Sequence, residues 1–150
     1  MNITLDASVA IKLYVLEDMH DTAHRLVAEA GALFAPDFLL VEVCNIAWKK
    51  VRRQEIGAVQ AREILTLLRR RLNFFATTEL VEPALQIALT LGHPVYDCLY
   101  IACAEMTDSV VVTADQRLCA AVQGTDFEPL IRYLGDPNFP ENAENEEKGR

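Results

Sequence analysis

Short apolar stretches alternate along the chain with longer stretches in which apolar residues recur at helical spacing. Leu40, Val43 and Ala47 follow one another every three or four positions, the spacing of one helix face. Residues 109–113 instead form a continuous β-branched run, typical of a buried strand in a parallel sheet. The whole pattern predicts strands at 2–6, 33–35, 73–77, 109–113 and 130–132, and helices at 8–16, 20–30, 38–53, 59–72, 79–91, 98–104 and 115–122.

This alternation of strands and helices predicts an α/β fold with a mostly parallel sheet. The chain has 150 residues, enough for a single substantial core, and shows no internal repeat or domain boundary. After Asp136 the apolar periodicity ends and acidic residues accumulate. We therefore expect one domain at residues 1–135 and a disordered acidic tail at residues 136–150.

The sequence also predicts a cytoplasmic protein that does not enter a membrane. Its apolar runs are interrupted by charges before they reach the length of a membrane span. The first residues lack the basic segment of a signal peptide. Four cysteines lie in apolar stretches without a CxxC pair, which indicates buried free thiols in a reducing compartment: Cys44, Cys98, Cys103 and Cys119.

Charge is unevenly distributed along the chain. The formal net charge of −8 argues against a nucleic-acid partner. Residues 49–71, however, carry eight basic and two acidic side chains. This segment is either the solvated surface of two helices or a local contact for phosphates, and the net charge does not decide between them.

Four acidic residues are candidates for catalysis, although each has an ordinary structural explanation. Asp6, Asp97 and Asp115 stand at the starts of predicted helices, where aspartate commonly accepts backbone N–H bonds as an N-cap. Glu42 lies within a predicted amphipathic helix and would suit its exposed face. Taken singly, none of the four indicates a function.

Their combined placement favours a metal site. Asp6 ends the first predicted strand and Asp115 follows the strand at 109–113, and the carboxyl ends of parallel strands share one edge of the sheet. Glu42 and Asp97 lie in segments that are otherwise almost entirely apolar. Acids beside buried segments need a compensating cation, and oxygen ligands suit Mg²⁺ or Mn²⁺.

Other chemistries find less support. His20 and His24 are one helical turn apart but lack a third metal ligand, so a surface helix is the better interpretation, and His93 in its turn receives no role. The glycine spacing excludes a dinucleotide fingerprint and a P-loop, and the chain has no Gly-x-Ser-x-Gly elbow.

Four motifs, in this order, resemble those of the PIN-domain nucleases, and among these the VapC toxins of type II toxin–antitoxin pairs. The motifs are LDASVA at 5–10, LVEVCN at 40–45, VYDCLYIA at 95–102 and VTADQRL at 112–118. The resemblance implies a three-layer α/β/α sandwich. It also implies a catalytic and metal-binding cluster of Asp6, Glu42, Asp97 and Asp115. Ser8, Asn45 and Thr113 would support that cluster by hydrogen bonds.

Helical spacing adds one expectation that no motif carries. Asn45, Lys49 and Arg52 follow Glu42 at +3, +7 and +10, which places them on the same helix face. Lys49 would lie roughly 10 Å along the axis from Glu42. We expect Lys49 and Arg52 to contact RNA phosphates, with solvated surface or a protein contact as the alternative.

The predicted function is a metal-dependent endoribonuclease acting as the toxin of a toxin–antitoxin pair. The resemblance implies an RNA substrate, a cognate antitoxin protein and a homodimer. One alternative is a PIN-fold nuclease that acts in RNA processing or on DNA without a toxin role. Another is a catalytically silent binding module whose acids are only caps. Metal binding would separate this last reading from the others, because a cap needs no cation.

Overall fold

The computed structural model describes residues 1–139, which form five strands, seven α-helices and two 3₁₀ turns. The strands are β1 Ile3–Leu5, β2 Leu33–Pro36, β3 Asn73–Phe75, β4 Val110–Thr113 and β5 Ile131–Tyr133. The helices are α1 Ala7–Ala10, α2 His20–Glu29, α3 Phe38–Arg52, α4 Ala58–Arg71, α5 Thr77–Leu91, α6 Val95–Thr107 and α7 Gln116–Val122. The 3₁₀ turns are Ile11–Leu13 and Glu128–Leu130.

The five strands form one parallel sheet in the order β3-β2-β1-β4-β5. Strand β1 is central: its buried residues Ile3 and Thr4 pair with β2 on one side and with β4 on the other. Strands β2 and β3 lie on one side of β1, and β4 and β5 lie on the other, so the order in which the chain adds strands changes direction between β1 and β4. In open α/β sheets, ligands bind at the carboxyl edge beside such a reversal.

Helices flank the sheet, which confirms the predicted α/β sandwich. The most deeply buried helix is α6, which packs against α5 and contacts β1, β2 and β4. Its residues from Cys98 to Ala104 are all buried, in agreement with the unbroken apolar run there. The helix begins at Val95 and ends at Thr107, so it extends beyond the predicted 98–104 at both ends.

The helix predicted at 8–16 is interrupted. Helix α1 ends at Ala10 and a 3₁₀ turn follows to Leu13. Two histidines of α2 contact the backbone carbonyls released there: His20 Nδ1 lies 2.6 Å from the Lys12 carbonyl oxygen, and His24 Nε2 lies 2.8 Å from that of Leu13. These side chains replace the bonds that a continuing helix would make, and this gives the two histidines a structural role.

Most of the predicted tail lies outside the described residues. Of residues 136–150, only 136–139 are described, and within them Phe139 packs against the core. The predicted division at residue 135 and the disorder of the remaining tail stay predictions.

The structure also bears on the expectations about membrane-spanning segments and about the cysteines. In residues 1–139, no single helix has the length and apolar character to cross a membrane; only α5 and α6 together, bent by 115°, meet the criteria of length and composition. All four cysteines are free thiols, but only Cys98 and Cys103 are buried, whereas Cys119 is half-buried and Cys44 is exposed.

Candidate active site

The candidate site lies at the carboxyl ends of β1 and β4. Leu5 pairs with Val112 in the sheet, so the residues that follow them, Asp6 and Thr113, are neighbours at this edge. The Thr113 hydroxyl donates a hydrogen bond to Asp6 Oδ2. This contact joins two loops at the reversal of strand order, where the fold favours a ligand.

Asp6 is a buried acid with an unusual environment. Its side chain is the N-cap of α1 and accepts the Val9 N–H at 3.2 Å and the Ser8 hydroxyl. Only 7% of Asp6 is exposed, and within the described chain no lysine or arginine pairs with it. Burial raises the pKa of Asp6 to about 6, and the charge of Asp97 adds to this, against the lowering effect of the hydrogen bonds from Ser8, Thr113 and Val9.

Ser8 and Thr113 hold the surroundings of Asp6 in place. The Ala114 N–H donates to Ser8 Oγ at 2.9 Å, and the Asp115 N–H donates to Thr113 Oγ1 at 2.9 Å. Each hydroxyl thereby accepts a backbone hydrogen bond and donates one to the Asp6 carboxylate. The sequence placed both residues beside the cluster, and the structure shows their hydrogen bonds to Asp6.

Glu42 is half-buried on α3 and bound by a tyrosine that the sequence analysis did not single out. The Tyr100 hydroxyl donates to Glu42 Oε1, and only 1% of Tyr100 is exposed. Burial raises the pKa of Glu42, as do the charges of Asp6 and Asp97, while the Tyr100 hydrogen bond lowers it. The charges of both aspartates therefore make Glu42 harder to ionise.

Asp97 is not an N-cap, which corrects that interpretation for this residue. Helix α6 begins at Val95 after Pro94, so Asp97 lies inside its first turn. His93 Nε2 lies 2.6 Å from Asp97 Oδ2, one helical turn earlier in the chain. His93, to which the sequence analysis gave no role, is thus a direct partner of a candidate ligand. The i, i+4 spacing was the available signal.

Asp115 is half-buried, like Glu42 and Asp97. It is the N-cap of α7 and accepts the Arg117 N–H at 2.8 Å. Its charge and that of Asp6 both raise the pKa of Cys119, after burial, which is the larger cause. Asp115 thus acts as a cap and lies on the same side of the sheet as Asp6.

The carboxylates fit a hard divalent cation in their chemistry. Asp6, Glu42 and Asp97 are electrostatically coupled oxygen donors, and the positive charge of an ion would offset the cost of their burial. Across residues 1–139, no three acidic, histidine or cysteine side chains already converge as a metal-binding group. The ligand atoms are therefore of the type that Mg²⁺ or Mn²⁺ prefers, but the side chains do not surround a common position.

The remaining candidates lie further along α3. Asn45 is exposed, and in the described part of the chain its side chain makes no hydrogen bond. Lys49 and Arg52 are exposed as well, and the Arg52 guanidinium lies 4.9 Å from the ring centre of Trp48. The structure thus brings Asp6, Ser8 and Thr113 together and leaves Asn45 at the surface.

The fold and site define an α/β protein with an acidic candidate active site at the switch point of its sheet. The family model of the PIN domain matches residues 3–123. This chain belongs to the PIN-domain family.

Three similar proteins extend this result. Ribonuclease VapC3 of Pyrobaculum aerophilum is 33% identical over 124 residues, which cover 79% of this chain and 92% of the relative. The structure of Mycobacterium tuberculosis VapC20, a sarcin-ricin loop cleaving toxin, aligns with a TM-score of 0.63 at 20% identity, over 79% of this chain and 94% of that one. VapBC2 from Rickettsia felis, bound to a DNA fragment from their promoter, aligns with a TM-score of 0.60 at 14% identity, over 89% and 98%.

Proposed function

We propose that this protein is a metal-dependent endoribonuclease and the toxin of a toxin–antitoxin pair. The observation that carries the proposal is the buried Asp6 carboxylate, which lacks a cationic partner among the described residues and is coupled to Asp97 and Glu42. The similarity to a protein named as a VapC ribonuclease supports the activity.

The site residues have distinct tasks in this proposal. Asp6, Glu42 and Asp97 would hold Mg²⁺ or Mn²⁺, which when bound supplies an activated water and neutralises charge on the phosphate. Ser8 and Thr113 fix the orientation of Asp6 through their hydroxyls. Asp115, at the start of α7, is assigned to the cluster as an acceptor for a proton of the attacking water.

The proposed partners are RNA, a cognate antitoxin protein and a second copy of the chain. The VapC and VapBC proteins among its relatives support a toxin–antitoxin pair. Val81, Leu85 and Leu89 form an exposed apolar row on α5, which supports a protein contact such as a homodimer. The free thiols support a reducing, cytoplasmic location.

Cleavage of a labelled single-stranded RNA tests the activity. Asp6→Asn and Asp97→Asn retain side-chain size but remove the charge that the ion needs, so each should lower the rate by about a hundredfold or more. EDTA should abolish cleavage by the parent protein, and Mg²⁺ or Mn²⁺ should restore it. Asp126→Asn, at an exposed aspartate in the segment after α7, is the matched control and should cleave at the parent rate.

Two outcomes would contradict the proposal. Parent-like cleavage by both site variants would remove the acids from catalysis. Cleavage that persists in EDTA would remove the metal. Single-stranded DNA of the same sequence, used in parallel, shows whether the substrate is RNA.

A further inference from the structure

The last turns of α3 carry an exposed aromatic residue among basic side chains. Trp48, Lys49, Arg52 and Arg53 line an open cleft. Trp48 is 51% exposed and is the single tryptophan of the chain. A half-exposed tryptophan adds little to the core, and one of its neighbours, Arg52, already lies over its ring.

The positive charges of this cleft are uncompensated. Lys49, Arg52 and Arg53 are exposed, and none of them forms an ion pair with another described residue. Lys50, on the same helix, is different: its Nζ lies 2.7 Å from Glu17 and 3.2 Å from Glu55. The basic residues at 49–53 thus divide into one lysine paired with glutamates and an unpaired group around Trp48, and the unpaired group fits an anionic partner.

We propose that Trp48 is a base-stacking platform in a subsite for single-stranded RNA, with Lys49, Arg52 and Arg53 holding the adjoining phosphates. The inference rests on the proposed nuclease function and adds the form of the substrate. An aromatic face beside a basic groove binds unpaired bases with little regard to sequence, whereas a duplex keeps its bases stacked on one another.

The position of the cleft connects it with the candidate site. Trp48 follows Glu42 by six residues on the same helix, which corresponds to roughly 9 Å along the axis. Helical geometry turns Trp48 by about 120° around the axis from Glu42, whereas Lys49 lies close to the Glu42 face, so a strand stacked on Trp48 approaches the acidic cluster across Lys49. RNA carries a negative phosphate at every nucleotide, so its charge is concentrated along one line. The net charge of −8 of a second copy of this chain is spread over many side chains, and charge complementarity therefore favours RNA.

Because Trp48 is the single tryptophan, its fluorescence reports directly on stacking. We would titrate the full chain, in EDTA to prevent cleavage, with a twelve-nucleotide oligouridine and with an abasic oligomer of the same length. The oligouridine should quench the fluorescence saturably, and the abasic oligomer should bind with little quenching. A blunt RNA duplex should likewise quench little.

Substitution tests the contribution of the ring to affinity. Anisotropy of a labelled oligouridine should show that Trp48→Ala weakens binding by roughly 5- to 150-fold. Trp48→Phe should retain most of the affinity, because an aromatic face remains. Met106→Ala, at an apolar residue of α6 that is exposed to the same degree, is the matched control and should bind like the parent. Lys49→Ala with Arg52→Ala should lower the salt slope by up to about 0.7 per lost contact.

Three results would overturn the inference. They are equal quenching by the abasic oligomer, parent-like affinity of Trp48→Ala, and a change in sedimentation of Trp48→Ala that shows a contact between copies. Failure of the nuclease proposal is distinguishable from these, since it would leave RNA stacked on Trp48 without metal-dependent cleavage.

Discussion

At the scale of single residues, Asp6 combines two roles that the sequence analysis treated as alternatives. It caps α1 by accepting the Val9 N–H, and its buried carboxylate has a pKa of about 6. The capping and hydroxyl hydrogen bonds lower the pKa, but burial outweighs them. The identification of an aspartate as a cap therefore does not exclude a role in metal binding.

The pKa of Asp6 makes the stability of the metal-free protein depend on pH. Because the folded-state pKa of about 6 exceeds the ordinary 3.8, stability is fully present below pH 4 and falls as pH rises through 6. The loss is on the order of 3 kcal/mol. In Asp6→Asn this loss is absent. The variant should gain stability relative to the parent by that amount between pH 4 and 7, measured by urea unfolding in EDTA. A constant difference across this range would contradict the prediction.

Two residues of the site were missed for different reasons. His93 lies before the first residue of α6 and reaches Asp97 in the first turn, a short-range contact that sequence proximity would have suggested. Tyr100 instead contacts Glu42 across 58 positions of sequence, and only the packing of α6 against its neighbours brings them together. The motifs indicated four candidate acids. The motifs did not show which side chains contact these acids.

At the scale of elements, sequence periodicity predicted every strand and most helices within a few residues. Burial explains this success: β4 and α6 are enclosed, so their apolar residues directly record their surroundings. The 8–16 segment failed because its helix is ended by histidines from α2, a tertiary contact that no local pattern contains. The strand order also depends on packing between distant elements.

The Tyr100–Glu42 hydrogen bond joins α6 to α3, and its loss should weaken that connection. Tyr100→Phe leaves the half-buried Glu42 carboxylate without its donor, so unfolding free energy should fall by about 1–3 kcal/mol at neutral pH. The pKa of Glu42 should rise further, since the hydrogen bond lowers it. Urea unfolding measures the first effect. Tyr14→Phe is the control, because the Tyr14 hydroxyl makes no hydrogen bond within residues 1–139. Equal effects of the two substitutions would contradict the assigned bond.

At the scale of the whole molecule, the topology makes neighbours of candidate-site residues that are far apart in sequence. Asp6 and Thr113 meet because β1 and β4 are adjacent, although 107 positions separate them. Glu42 lies on α3 and Asp97 on α6, and the charges of Asp97 and Asp6 both raise the pKa of Glu42. The fold thus holds several negative charges close together, and their repulsion lowers its stability. A bound cation would reduce this repulsion.

Metal binding should therefore stabilise the entire fold. An ion that binds only the native state adds about 2.7 kcal/mol when its concentration is a hundred times Kd. For a domain of this size that corresponds to a rise in Tm of roughly 5–10 °C. Thermal unfolding in EDTA and then in excess Mn²⁺ measures the shift at neutral pH, where the Asp6 carboxylate is largely ionised. Asp6→Asn should lose most of the shift, and Asp126→Asn should retain it. A parent Tm that ignores Mn²⁺, or an equal shift in Asp6→Asn, would show that the carboxylates do not share an ion.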